Sequence, residues 1–172
     1  MKLYRTRVPT IARAVVERLC NEGDIEVALE NREELAKDIQ AILETFLRRD
    51  QELHEAARDE MERRGLPYDQ YGKTRRSVAD SWGHPVGDEI GRYLSRQIVE
   101  NFMITRFVDE VFSEDRDIYK KVLDTMKSND VDESALRIEA RDRIKNVKEG
   151  SVEYEEAMNR ALREVRKRHG LA

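Results

Sequence analysis

The stretches AARDEM, Ala56–Met61, and EARDRI, Glu139–Ile144, lie 83 residues apart in a 172-residue chain. Whether they are a coincidence of composition, a motif used twice or matching turns of a repeated unit decides how the fold is read. Sliding residues 11–64 onto 94–147 without gaps makes eight positions identical: Arg13/Arg96, Val16/Val99, Glu17/Glu100, Lys37/Lys120, Leu53/Leu136, Ala57/Ala140, Arg58/Arg141 and Asp59/Asp142. About four are expected by chance in so biased a composition. The apolar register says more. Ile11/Leu94, Val15/Ile98, Leu19/Phe102, Cys20/Met103, Ile25/Val108, Leu29/Phe112, Leu35/Ile118, Ile39/Val122, Leu43/Met126 and Met61/Ile144 all match apolar with apolar at one offset. The reading is a mainly α protein built from two tandem, pseudo-symmetric helical units related by duplication.

Each unit reads as helix, short extended segment, helix, helix. Ile11, Ala12, Val15, Val16, Leu19 and Cys20 fall on one stripe of a helix starting near Pro9, and Gly23 stops it. Ile25, Val27 and Leu29 alternate, as in a strand. Asn31 and Glu34 have the spacing of a capping box. The apolar pattern then runs to Gly65; unbroken, 32–64 would be a rod of about 50 Å, whereas the repeat favours a bend or break near Asp50. Asp132 and Ser151 are the expected N-caps of the last two helices. A twofold relation between the units would pair 24–29 with 107–112 as an antiparallel ribbon. The residues shared by the two units also predict ion pairs Glu17–Arg58 and Glu100–Arg141, each bridging the first helix of its unit to the third.

Residues 1–66 and 88–172 are the two units, with 67–87 between them. The connector holds two of the three prolines, yet Tyr68, Tyr71, Val78, Trp82 and Val86 predict that it packs on the helices. Gly83, Gly87 and Gly91 fit neither a dinucleotide fingerprint nor a P-loop, and read as a turn, a helix start and a close helix contact.

PYDQYGKTRRSVAD, GHPVGDEIGRYLSRQIVE, RFVDEVFSED, ARDRIKNVKEGSVEYE and the terminal KRHGLA, together with GDIEV at Gly23–Val27, resemble the bacterial domain-of-unknown-function family 507 over essentially the whole chain. The resemblance implies a bacterial cytoplasmic setting. It carries over no activity, cofactor or catalytic residue.

Charge and motifs narrow the function. The net charge is -4, with 32 basic and 36 acidic residues interspersed. The single cysteine, Cys20, permits no internal disulfide and reads as an inert thiol on an apolar stripe. No signal core or apolar membrane-length run is present, so a cytoplasmic protein without a membrane partner is expected. His54, His84 and His169 are scattered, and the acidic run 108–117 lacks EF-hand spacing. No cofactor is implied. The expectation is a non-enzymatic protein that binds another protein, with Trp82 and Tyr71 as contact residues. Nucleic-acid binding is the alternative, through segments 2–7, 73–76 and 163–168, with Lys73, Arg75, Arg76, Arg166, Lys167 and Arg168 as its cations. A metal-dependent enzyme using scattered carboxylates is the remote third reading.

Overall fold

The computed structural model describes all 172 residues, Met1–Ala172. Seven α-helices and two short strands follow in the order α1 (Val8–Asn21), β1 (Ile25–Glu26), α2 (Arg32–Arg64), α3 (Tyr71–Trp82), α4 (Glu89–Phe102), β2 (Glu110–Val111), α5 (Asp115–Ser128), α6 (Glu133–Arg141) and α7 (Val152–Arg168). The fold is mainly α with one two-stranded antiparallel sheet.

The strands pair Ile25 with Val111 and Glu26 with Glu110, the register obtained by laying 24–29 antiparallel on 107–112. Asp109 N donates to Glu26 O at 2.8 Å and Phe112 N to Asp24 O at 2.9 Å, so pairing extends just beyond the strands. Asp24, 2 % exposed, ties the ribbon to α5. It accepts from Ser113 Oγ at 2.6 Å and from Lys121 Nζ at 2.7 Å. Burial alone raises a carboxyl pKa, but the bonds from Lys121 and Ser113 outweigh it and hold Asp24 below its ordinary value.

The main core is shared by both sequence units. Ile11, Val15 and Leu19 of α1, Leu35, Ile39 and Leu43 of α2, Leu94 and Ile98 of α4, and Ile118, Val122 and Met126 of α5 form one buried cluster. A second, smaller cluster joins Tyr4 to Leu136, Ala140, Leu162, Val165 and Leu171. It holds α6 against α7. The second half of α2 packs against α3, which occupies most of the connector. Leu53 and Ala57 are fully buried in the first hairpin, as Ala140 is and Leu136 nearly is in the other. Alanine at the contact lets the helix axes approach closely.

Three local expectations are corrected. First, α2 is continuous over 33 residues, a rod of about 50 Å, with no break near Asp50. The residues at the expected break, Phe46-Leu47-Arg48-Arg49, contain no cap or helix breaker. Second, Asn31 makes no side-chain cap, because a 3-10 turn over Leu29–Asn31 leads into the helix and already supplies its backbone bonds. Third, Leu29 and Phe112 do not enter the core. They flank the ribbon at 78 % and 59 % exposure, because a two-residue strand turns too few side chains inward.

Asp132 and Ser151 cap α6 and α7 as expected, accepting from Ala135 N at 3.1 Å and Tyr154 N at 3.2 Å. Gly83 ends α3 in the left-handed conformation. A Cβ on Gly91 would lie 3.0 Å from Leu123 Cδ1, so this glycine sets the close approach of α4 to α5.

Candidate partner-binding furrow

Helices α2 and α4 line an open furrow of about 420 Å³. Its floor and walls come from two helix stripes. Ile42, Thr45, Phe46 and Arg49 line it from α2, and Tyr93, Gln97 and Asn101 recur every fourth residue on α4. Asp38 stands at one end. Thr105 Oγ1 donates to its Oδ2 at 2.7 Å, which leaves the other carboxylate oxygen with capacity to accept. Asn101 Nδ2 is buried without a hydrogen-bond partner.

At the other end His84 stacks on Phe46, with centroids 5.0 Å apart and planes at 12°. Tyr93 lies 6.4 Å from Phe46 on the other flank. His84 is 5 % exposed, and its Nε2 lies 3.2 Å from Asp50 Oδ1. Burial pushes the imidazole pKa down, against the pull of Asp50.

Of the two sequence-predicted contact residues, Trp82 ends α3 near this end, whereas Tyr71 starts that helix about 16 Å away. Arg49 Nη2 donates to the Trp82 carbonyl at 3.1 Å, which brings the backbone at the end of α3 beside the furrow. Trp82 is 36 % exposed. Arg75 Nη2 donates to Asp50 Oδ1 at 2.6 Å, so Asp50 links α3 to His84. Tyr71 is half-buried, bonds His54 through its hydroxyl and stacks on exposed Tyr68. Burial raises the Tyr71 phenol pKa. The furrow itself was missed in the sequence, although the Tyr93-Gln97-Asn101 stripe beside the apolar face of α4 was there to be read.

The expected basic sites separate into tied and untied cations. Lys2 and Arg166 meet at the Tyr4 ring, 5.2 and 6.0 Å from its centre. Both also face Glu133, Arg166 at 2.9 Å and Lys2 at 3.9 Å. Arg168 and His169 bind Glu139 at 3.0 and 2.8 Å. Burial, then the neighbouring Arg166, lowers the Lys2 pKa. Lys73, Arg76 and Lys167 stay exposed and form no ion pair.

Neither expected structural ion pair forms. Arg13, one turn before Glu17, binds Glu33 at 2.9 Å near the start of α2. Arg58 lies about 37 Å further along that unbroken helix, at 1.5 Å per residue, and is out of reach of Glu17. Glu100 accepts instead from Gln97 at 3.2 Å, and Arg141 lines a shallow depression with Tyr68 and Tyr154. The shared Glu and Arg positions therefore lie on solvent faces. Cys20 is half-buried, and burial raises its thiol pKa. No three His, Cys, Asp or Glu side chains are gathered as a metal-binding set. No helix is long and apolar enough to cross a membrane.

These features define a helical protein with one mixed aromatic and amide furrow between two core helices. The chain belongs to the family described as protein of unknown function DUF507, which it matches over residues 1–171. No curated protein matches it.

Proposed function

We propose that this is a bacterial cytoplasmic protein that acts without catalysis, by binding a segment of another protein in the α2–α4 furrow. The observation that carries the reading is the lining: an aromatic wall of Phe46, His84 and Tyr93 beside the carboxamides of Gln97 and Asn101, one of them buried and unpartnered. Aromatic side chains supply contact area, and carboxamides match the donors and acceptors of a peptide backbone. Trp82 and Arg49 at the rim are the residue types that dominate protein interfaces. Tyr71 lies at the other end of α3, where its hydroxyl bonds His54, and does not border the furrow.

The test is affinity capture of the tagged protein from its own host, with and without nuclease. A partner protein should survive nuclease, and its recovery should fall at least about fivefold with Tyr93→Ser or Trp82→Ala. Recovery indifferent to both substitutions overturns the furrow as the binding site.

Nucleic-acid binding is the second reading, supported by the untied Lys73, Arg76 and Lys167. It predicts a salt-sensitive shift of DNA or RNA that weakens with Lys73→Glu and Arg76→Glu. The ties of Arg75 to Asp50, Arg166 to Glu133 and Arg168 to Glu139 weigh against it.

We also propose that the two units descend from one duplicated segment. The strand register and the matching burial of Leu53 with Leu136 and Ala57 with Ala140 support that reading.

A further inference from the structure

Residues 2–4 lie between the main core and the α6–α7 pair and touch both. The backbone at Tyr4 is extended, so Leu3 and Tyr4 point to opposite sides. Leu3 is buried in the main core. Tyr4 is buried in the smaller cluster, whose other buried members all come from residues 136–171. The Tyr4 ring is thus the one buried side chain that the rest of the molecule contributes to that cluster. No helix other than its mate lies closely along α6 or α7. Tyr68, which shares a shallow depression with Arg137 and Arg141, is 73 % exposed and adds little packing.

This closure sets opposing effects against each other. The Tyr4 ring buries apolar area and draws Lys2 and Arg166 toward it. Against that, Tyr4 Oη, Arg166 Nε and Glu133 Oε1 are buried at the same contact without a hydrogen-bond partner in the chain. Each such group costs the closed form free energy that hydration recovers once the seam opens.

The joint beneath the pair is free to pivot. No glycine or proline stands between Gly91 and Gly150, so no obligatory breaker separates α5 from α6. The segment 83 residues earlier, Phe46–Arg49, continues as helix. Here Asp132 leaves helical geometry at φ −71° and ψ 91°, and side-chain bonds hold the bend. One of them comes from the arm: Lys2 N donates to Asp130 Oδ1 at 3.2 Å, and that oxygen also accepts from Val131 N at 3.0 Å. The same short arm therefore fixes both the bend and the helix pair that hangs from it.

We propose that residues 2–4 are a latch, and that α6–α7 swings out as one body about residues 129–132 when Tyr4 leaves its cluster. Leu3 keeps the arm on the main core. Opening uncovers Leu136, Leu162 and Val165, so the closed chain covers an apolar face of α6–α7 with its own tyrosine. Element-terminal residues without a fixed breaker are the usual hinges of such motions.

The experiment measures a distance by double electron–electron resonance in the full chain. Spin labels go on Arg96→Cys in α4 and Arg160→Cys in α7, both exposed, with Cys20→Ala as background. With the native arm the distribution should show one dominant distance and a minor longer one. Tyr4→Ala should lower the closed-to-open ratio at least about tenfold, through loss of the buried ring. Asp130→Ala frees the joint and should lower the ratio by about threefold. Tyr4→Phe deletes only the unpartnered hydroxyl and should leave the closed form at least as populated. Hydrogen exchange in residues 133–141 and 152–168 should stay slow in Tyr4→Ala, because the pair moves folded.

Unchanged distances in either alanine variant overturn the latch. Loss of protection throughout α6 and α7 in Tyr4→Ala also overturns it, since Tyr4 is then an ordinary core residue whose removal melts the pair. A Tyr4→Phe variant that opens as far as Tyr4→Ala does the same, because the ring would not be what closes the seam. If Tyr4→Ala does not fold, Asp130→Ala decides: a longer population supports the latch, and an unchanged one overturns it.

Discussion

Residues Arg32–Arg64 form one helix, whereas Asp115–Arg141, displaced by 83 positions, form two. The difference arises in four residues. Phe46-Leu47-Arg48-Arg49 continue a helix, and the buried Phe46 ring rewards continuation. The matching residues are Asn129-Asp130-Val131-Asp132. Asn129 bonds back to Thr125 O at 2.9 Å, and Asp132 turns its carboxylate onto Ser134 N and Ala135 N. Short polar side chains here offer the backbone partners outside the helix. One region is thus a rod that couples the main core to the α3 hairpin, and the other is a joint that leaves α6–α7 with a core of its own.

The sharpest way to break this comparison is to cut the same side chain in both regions. Leu53→Ala and Leu136→Ala should each lower stability by about 3 kcal/mol. The distribution should differ. Because Leu53 lies on the rod, its loss should appear in global unfolding by denaturant. Loss of Leu136 should raise hydrogen exchange in residues 133–141 and 152–168 while α1 and the first half of α2 stay protected. Equal global effects would mean that the joint transmits as well as the rod.

Next in size is the place where the regions meet. Asp24→Ala removes the bonds from Ser113 and Lys121 and should lower stability by about 2 kcal/mol. The folded carboxyl titrates below its ordinary value, so its contribution is present at neutral pH and is lost as pH falls below about 4. Urea midpoints of wild type and variant should therefore converge in acid. A smaller effect tests the joint itself. Asp132→Ala should weaken α6 by about 1 kcal/mol, read as faster exchange at the Ser134 and Ala135 amides.

Much of this architecture was legible because it rests on local patterns. The Asp132 and Ser151 caps, the roles of Gly83 and Gly91, and the ribbon register all follow from period and spacing. The repeat misled where it was trusted over local chemistry. It asked for a break in α2 that Phe46–Arg49 do not encode, and it turned shared Glu and Arg positions into bridges that the rod holds apart. The furrow lay beyond this reading for another reason. Whether Asp38, Asn101 and His84 share a cavity depends on how α2 and α4 are placed against each other, which no single helix pattern contains.

The smallest predicted effect belongs to two helix ends that are closed in the same way. Gly83 and Gly170 are both left-handed, and the next amides, of His84 and Leu171, bond back to Ala79 O and Arg166 O at 2.9 and 2.8 Å. Both following side chains are buried, but one is an imidazole and the other a leucine. Burial lowers the folded pKa of His84 below its ordinary value, so between the two values the unfolded chain binds more protons. Stability must then fall as pH drops below about 6.5. His84→Phe keeps a ring against Phe46 and leaves Arg75 on Asp50, but removes the titration. The melting temperature of wild type should fall more than that of the variant between pH 7.5 and 5.5, and exchange of the α3 amides should follow the same difference. Identical slopes would mean that Asp50 compensates the buried imidazole fully, and that the two helix ends differ in shape alone.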